Sequence, residues 1–179
     1  IGPLTLSLLV TAIMSPTGEY LGNALEWADV TEKRRLETEM SRLKASLDNA
    51  RSNVLVCDRT YTIVYANNQS VTTLRRLESD IQKVMPAFSV AKVIGSNVDQ
   101  YHKNPAHQRR LLDNPQNLPY RTEIKIGPLT LDLAVAAIMG EKGEYLGNVV
   151  EWADVSAQKK AQLEIDKLIG AAAAGQLSE

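Results

Sequence analysis

IGPLTLSLLVTAIMSPTGEYLGNALEWADVT (Ile1 to Thr31) returns as IGPLTLDLAVAAIMGEKGEYLGNVVEWADVS (Ile126 to Ser156), at a constant offset of 125 and without a gap. Of the 31 aligned positions 22 are identical, which shared composition cannot produce. A repeat of this length marks a tandem domain, and a period of 125 residues is an ordinary domain size. Residues 1–31 are therefore expected to be the last two strands of a preceding domain, 32–50 a linker helix, 51–156 a complete domain and 157–179 an output helix. A lone hairpin is marginal in water, so residues 1–31 are expected to be disordered or to pair with the exposed sheet edge of another chain.

Outward from the repeat, Thr31 to Ala50 lacks Gly and Pro and is dense in good helix formers. Its apolar residues fall at Leu36, Met40, Leu43 and Leu47, spacings of 4, 3 and 4 that make a heptad seam. Adding 125 lands on Ala161, Ile165, Leu168 and Ala172, so the register recurs after the second copy. Pairing between chains through these helices, giving a homodimer, is one reading; an amphipathic helix packed on its own domain is the other.

From Ser52 the pattern changes. SNVLVCD (52–58) and YTIVYAN (61–67) read as strands split by a tight polar turn. Asn68 to Asn104 carries Leu74, Leu77, Ile81, Val84 and Met85 at helix-like intervals, which predicts several short helices broken at Pro86 and Gly95. PAHQRRLLDN (105–114) starts a further helix with Pro near its first turn. Three strands follow, and period-2 alternation puts Leu129, Leu131, Leu133, Val150 and Trp152 on the helical side and Thr130 and Asp132 opposite. The expected class is α+β: a five-stranded antiparallel sheet with helices on one face.

Composition narrows the functions. The net charge is −1 and the basic pairs are scattered, so no nucleic-acid footprint is present. The single Cys57 lies in an apolar run and fits a buried hydrophobe in a reducing cytoplasm. There is no Gly-rich phosphate loop, metal-ligand spacing, nucleophile elbow or catalytic carboxylate pair, and no enzymatic activity is expected.

Val54 to Asn67, the turn glycines Gly143 and Gly147, and the junctions Asp154-Val155-Ser156 and Asp29-Val30-Thr31 together resemble the PAS domain family. There the Asp-hydrophobic-Ser/Thr signature hands the last strand to an output helix. Physically, a side-chain oxygen at that point can cap the free N–H groups of the helix. YHKNPAHQRRLLDN (101–114) and GEYLGNVVEW (143–152) resemble the cytoplasmic PAS modules of bacterial methyl-accepting chemotaxis proteins, and IDKLIGAAAAGQLSE (165–179) resembles a lead into a HAMP helix. The resemblance implies neighbouring PAS and HAMP domains in the same receptor. It extends to the haem-binding PAS domains of aerotaxis-type receptors, and so implies a b-type haem and a small gas ligand such as oxygen. On that pattern His102 is the proximal ligand, Trp152 stabilises the bound gas and Leu133 crowds the distal side. Tyr101 departs from the Phe more usual there.

Haem needs one imidazole with its ring held, apolar walls on both faces and a donor near the gas. His107, five residues after His102, is the alternative ligand. Both could equally be surface histidines, Trp152 a buried anchor and Leu133 plain core, leaving a cofactor-free relay. No photoactive flavin cysteine motif is present, since Cys57 lies on the first strand of the domain.

Overall fold

The computed structural model describes residues 3–173, which divide into two compact units, one up to Leu47 and one from Asp48 onward. In the first unit β1 (Leu6–Met14) and β2 (Tyr20–Asp29) form an antiparallel hairpin, and α1 (Thr31–Asp48) follows it. Instead of the expected disorder, residues 6–29 form a regular ladder turned at Ser15–Gly18. The Gly18 N–H closes that turn on Ser15 O at 2.9 Å. Its apolar side chains stay uncovered, Leu8 at 62% and Trp27 at 66% exposure. Along α1, Arg35 reaches Glu32 at 2.6 Å and Glu39 at 2.9 Å, exposed pairs worth a few tenths of a kcal/mol each. The seam residues Leu36, Met40, Leu43 and Leu47 all face solvent.

The second unit is the α+β domain. Its strands are β3 (Asn53–Asp58), β4 (Ile63–Ala66), β5 (Tyr120–Ile126), β6 (Leu129–Met139) and β7 (Tyr145–Asp154), in the spatial order β4-β3-β7-β6-β5, antiparallel throughout. Between β4 and β5 run α2 (Asn68–Gln82), 3₁₀ turns at Val90–Lys92 and Val98–Tyr101, α3 (Pro105–Leu112) and a third 3₁₀ turn at Pro115–Asn117; α4 (Ser156–Ala173) leaves the sheet. The stretch expected to hold several short helices is one 15-residue helix followed by 3₁₀ turns. Leu74, Leu77 and Ile81 at spacings of 3 and 4 keep one face of α2 on the core. The expected strand register holds: Leu129, Leu131 and Trp152 are buried under the helical layer, and Leu133 and Val150 pack beside them.

Helix α2 is bolted to the sheet by side chains. Asn67, fully buried, accepts from Ser70 N as the helix cap and from Val54 N on β3, both at 3.0 Å. Its amide group donates to Ser52 O at 2.8 Å. Ser70 Oγ donates to Val54 O at 3.0 Å, and Thr73 Oγ1 donates to Asn53 Oδ1 at 2.7 Å. Asn53 in turn donates to Trp152 O on β7 at 2.9 Å. Buried polar groups of this kind are costly unless each is partnered, and here the partners link three elements.

The two hairpins are built alike. Leu6 pairs with Asp29 and Leu8 with Trp27, as Leu131 pairs with Asp154 and Leu133 with Trp152, and the bulge falls at Ile13/Met14 and again at Ile138/Met139. At the exits, Asp29 Oδ1 accepts from Thr31 N at 2.9 Å and Asp154 Oδ1 from Ser156 N at 3.1 Å. Thr31 Oγ1 accepts from Thr5 N at 2.8 Å, and Ser156 Oγ from Thr130 N at 2.9 Å. Each hydroxyl therefore stitches the helix start back to the first strand of its hairpin. At the second junction Arg76 of α2 also pairs with Asp154 at 3.1 Å. Burial pushes the Asp154 carboxyl up, but the Ser156 hydroxyl and N–H together with Arg76 outweigh it and hold it below the usual carboxylate range.

Gly147 sits at φ +148, and a Cβ there would meet Cys57 O on β3 at 2.2 Å. Gly147→Ala is expected to cost about 3 kcal/mol, read as a lowered urea midpoint of the second unit. Because its folded-state pKa is depressed, Asp154 contributes stability above its ordinary pKa of about 3.9, and that contribution fades as pH falls through the lower folded value. At neutral pH, Asp154→Ala should speed amide exchange at Ser156 by roughly tenfold while β3 amides keep their protection. Equal protection at Ser156 in both proteins would show that the carboxylate does not hold the junction.

Candidate functional site

Two adjoining cavities lie between the sheet and the helical segment. The first, about 180 Å³, is walled by Leu131 and Trp152 from the sheet, Leu74 and Ile81 from α2, and Met85, Phe88 and Tyr101 beyond it. The second, about 260 Å³, is walled by Cys57, Thr122, Val135 and Asn148 from the sheet and by His107, Leu111 and Leu112 from α3. Five residues border both: Val98, His102, Ile124, Leu133 and Val150. The sequence-predicted pair His102 and Leu133 thus stand at the boundary, and Trp152 lines the first cavity.

His102 follows directly on the 3₁₀ turn Val98–Tyr101. Its Nδ1 lies 2.8 Å from Val98 O. A carbonyl only accepts, so Nδ1 is the donor here and Nε2 is the ring nitrogen left for a metal. Neighbours hold the turn. Asn97 caps it through Asp99 N at 3.0 Å, Tyr101 packs edge-on against Phe88 with centroids 5.8 Å apart, and Ser96 Oγ meets Tyr101 Oη at 2.9 Å. Tyr101 is thus part of the wall and of the brace, a use for its hydroxyl that Phe would lack.

Trp152 is 5% exposed and cross-strand from Leu133. Its indole N–H donates to Ser70 Oγ at 3.1 Å, so the donor expected to face a bound gas is committed to α2. His107 is exposed and, of the two cavities, borders only the second. Cys57 is buried, and burial pushes its thiol up, away from thiolate chemistry. Among the described residues no group of three or more His, Cys, Asp or Glu is placed to hold a metal ion. One tautomer-fixed imidazole in an apolar wall suits a metal whose other ligands come with a cofactor, as in haem.

Sequence reasoning missed several wall and support residues. Met85 reads only as the end of a helical pattern, Phe88 lies beyond that pattern after Pro86, and Ser70 is an ordinary helix residue until Trp152 reaches it. Tyr145, whose hydroxyl donates to Leu112 O at 2.5 Å, ties the end of α3 to the start of β7. Its recurrence as Tyr20 in the first copy was the available signal.

No family model matches the chain. Over 139 residues, 78% of its length, it is 37% identical to the methyl-accepting chemotaxis protein McpB of Pseudomonas aeruginosa, of which it spans 20%. Among solved structures it is similar to one described as the Aer2 receptor from Vibrio cholerae, a dual PAS-haem oxygen sensor. The identity is 36% and the TM-score 0.56, over 58% of this chain and 94% of that one. With that overlap and the five-stranded antiparallel sheet under helices, the chain belongs to the PAS domain family, with relatives among the chemotaxis receptors.

Proposed function

We propose that residues 51–156 are a cytoplasmic sensory and signal-transducing PAS module of a bacterial chemoreceptor, holding a b-type haem to read oxygen or another diatomic gas. The observation that carries this is His102, tautomer-fixed by Val98 O at 2.8 Å and placed at the boundary of two cavities. The Vibrio cholerae relative is described as a PAS-haem sensor, which supports the same ligand class. When bound, haem would supply an iron able to take a diatomic ligand. His102 would hold it from one side, Leu133 would narrow the space opposite, and Trp152 would release Ser70 to donate to the gas. Ser70 would keep donating to Val54 O while its oxygen loses the indole N–H, and β7, which bears Trp152, would carry the change to Asp154 and Ser156 at the start of α4.

Residues 3–31 fit the same scheme as the last two strands of a preceding PAS domain. The copies differ at nine positions of the 31. On the strands these are Ser7/Asp132, Leu9/Ala134, Thr11/Ala136, Ala24/Val149 and Leu25/Val150, and only the last faces the cavities. Retention of Leu6, Leu8, Val10, Asn23 and Trp27 on the inner face is what a second pocket of the same chemistry requires. The solvent-facing seams of α1 and α4 suit homodimerisation and transmission toward HAMP; residues 174–179 of the tail lie outside the described residues. Crosslinking through a cysteine at position 43 tests the pairing.

A second reading, a cofactor-free relay, is favoured by one observation: Trp152 and Ser70 already satisfy each other at 3.1 Å. Absorbance after haem reconstitution separates the two. A Soret band is expected in the wild type, lost in His102→Ala with the fold intact. Trp152→Leu should keep the band and weaken oxygen binding by about tenfold or more, the loss of one hydrogen bond. No band in the wild type leaves the relay.

A further inference from the structure

We propose that Arg109 is the positioning residue for His102: by gripping Asp99 it fixes the 3₁₀ turn whose Val98 carbonyl orients the imidazole. The inference rests on the haem reading for its purpose, though not for its geometry. His102 touches this turn twice, through Nδ1 to Val98 O at 2.8 Å and through its own N–H to Asp99 O at 3.1 Å. Ring orientation therefore follows wherever residues 98 and 99 go.

Arg109, on α3, holds residue 99 from outside. Its Nε donates to Asp99 Oδ2 at 3.0 Å and its Nη2 donates to the same oxygen. The other oxygen, Oδ1, is buried and has no hydrogen-bond partner among the described residues. A carboxylate with one oxygen shut from water and unpaired stays in place only if a close cation offsets the lost hydration, and Arg109 is that cation. Arg109 is itself aimed. The Tyr61 ring lies beneath its guanidinium at 5.1 Å, and Tyr61 takes φ 63, a backbone region that residues with a Cβ rarely adopt. The Tyr61 hydroxyl bonds Asp113 just past the end of α3. A strained tyrosine, an arginine and an aspartate thus form one line ending at the turn that carries the ligand.

The ion pair is half at the surface: the Arg109 side chain is 50% exposed and that of Asp99 20%, so its loss costs some stability locally, while Asn97, Ser96, Tyr101 and Phe88 still hold the turn. Removing it should leave the fold and loosen the imidazole.

The test is Arg109→Gln in the full chain, with Arg109→Lys as the conservative variant. In the apo-protein, ¹⁵N NMR of the His102 ring should read the Nδ1–H tautomer in the wild type and a mixture of tautomers in Arg109→Gln. After loading, Arg109→Gln should release haem to apomyoglobin roughly tenfold faster, as outer-shell changes at metal-ligating histidines do, and should shift the iron–histidine vibration. Lys, with the charge but without the planar fork, should fall between. An unchanged ring tautomer and haem release rate in Arg109→Gln would overturn the proposal. If that variant fails to fold by circular dichroism, Asp99→Asn is read in its place. A wild type without a Soret band defeats the haem reading alone, because the apo-protein spectrum still decides the role of Arg109.

Discussion

One buried carboxamide sets the frame of the domain. Asn67 follows directly on β4, caps α2 and pairs with Val54 N on β3 and Ser52 O just before it, with none of its surface exposed. Asparagine suits the place because its amide offers an acceptor and a donor on opposite sides. The acceptor serves two N–H groups and the donor a carbonyl, so α2 has one permitted entry angle over the sheet. Everything in the cavity wall that α2 supplies, from Leu74 to Ile81, inherits that angle. Ser70 and Thr73, one and two turns on, extend the attachment to β3 and, through Asn53, to β7.

From that anchor the architecture separates wall from support. In the first cavity the sheet contributes an apolar face with a single indole donor, and the helical segment contributes aliphatic side chains, the rings of Phe88 and Tyr101, and one imidazole. Polar work is moved outward by one layer: Ser70 behind Trp152, Val98 O and Asp99 behind His102, Tyr145 behind α3. An apolar cavity with its hydrogen bonds held one layer back stays dry while its few polar atoms remain oriented. The same sheet ends in a clasp at Asp154, where α2 meets β7 through Arg76 and where α4 begins. Helical layer, sheet and exit helix therefore converge on one carboxylate.

Much of this was legible in the sequence because its signals are local. Period-2 alternation in Leu129 to Val135 gave the sheet face, the Asp-Val-Ser junction gave the helix cap, and the Asn67-to-Ser70 cap lay in an expected strand-to-helix passage. His102 was legible as a turn histidine before Pro105. What could not be read is whatever depends on meeting across the fold. Ser70 becomes a partner of Trp152 only when residues 82 apart are folded together. Asp99 and Arg109 are ten apart, yet only the turn at Asn104 makes them neighbours. Phe88 enters the cavity through irregular backbone past Pro86, where no periodicity marks an inner side. The order of residues 6–29 was not legible for another reason: marginal stability says how little energy favours a ladder, not which ladder forms.

The near-identity of the two hairpins also sets a problem of recognition within one polypeptide. During synthesis β1–β2 emerges before β3 does, carrying the inner face and register that β3 will later meet in β6–β7. Tandem repeats this similar are prone to exchange elements while folding. At the seam with β3, the legitimate strand places Val149 opposite Val56, whereas the earlier copy would place Ala24 there. One β-branched pair in place of a smaller contact is worth roughly 0.2–1 kcal/mol. Val150 opposite Leu55, where the earlier copy has Leu25, is the other position at which the seam with β3 meets a different residue in the two hairpins.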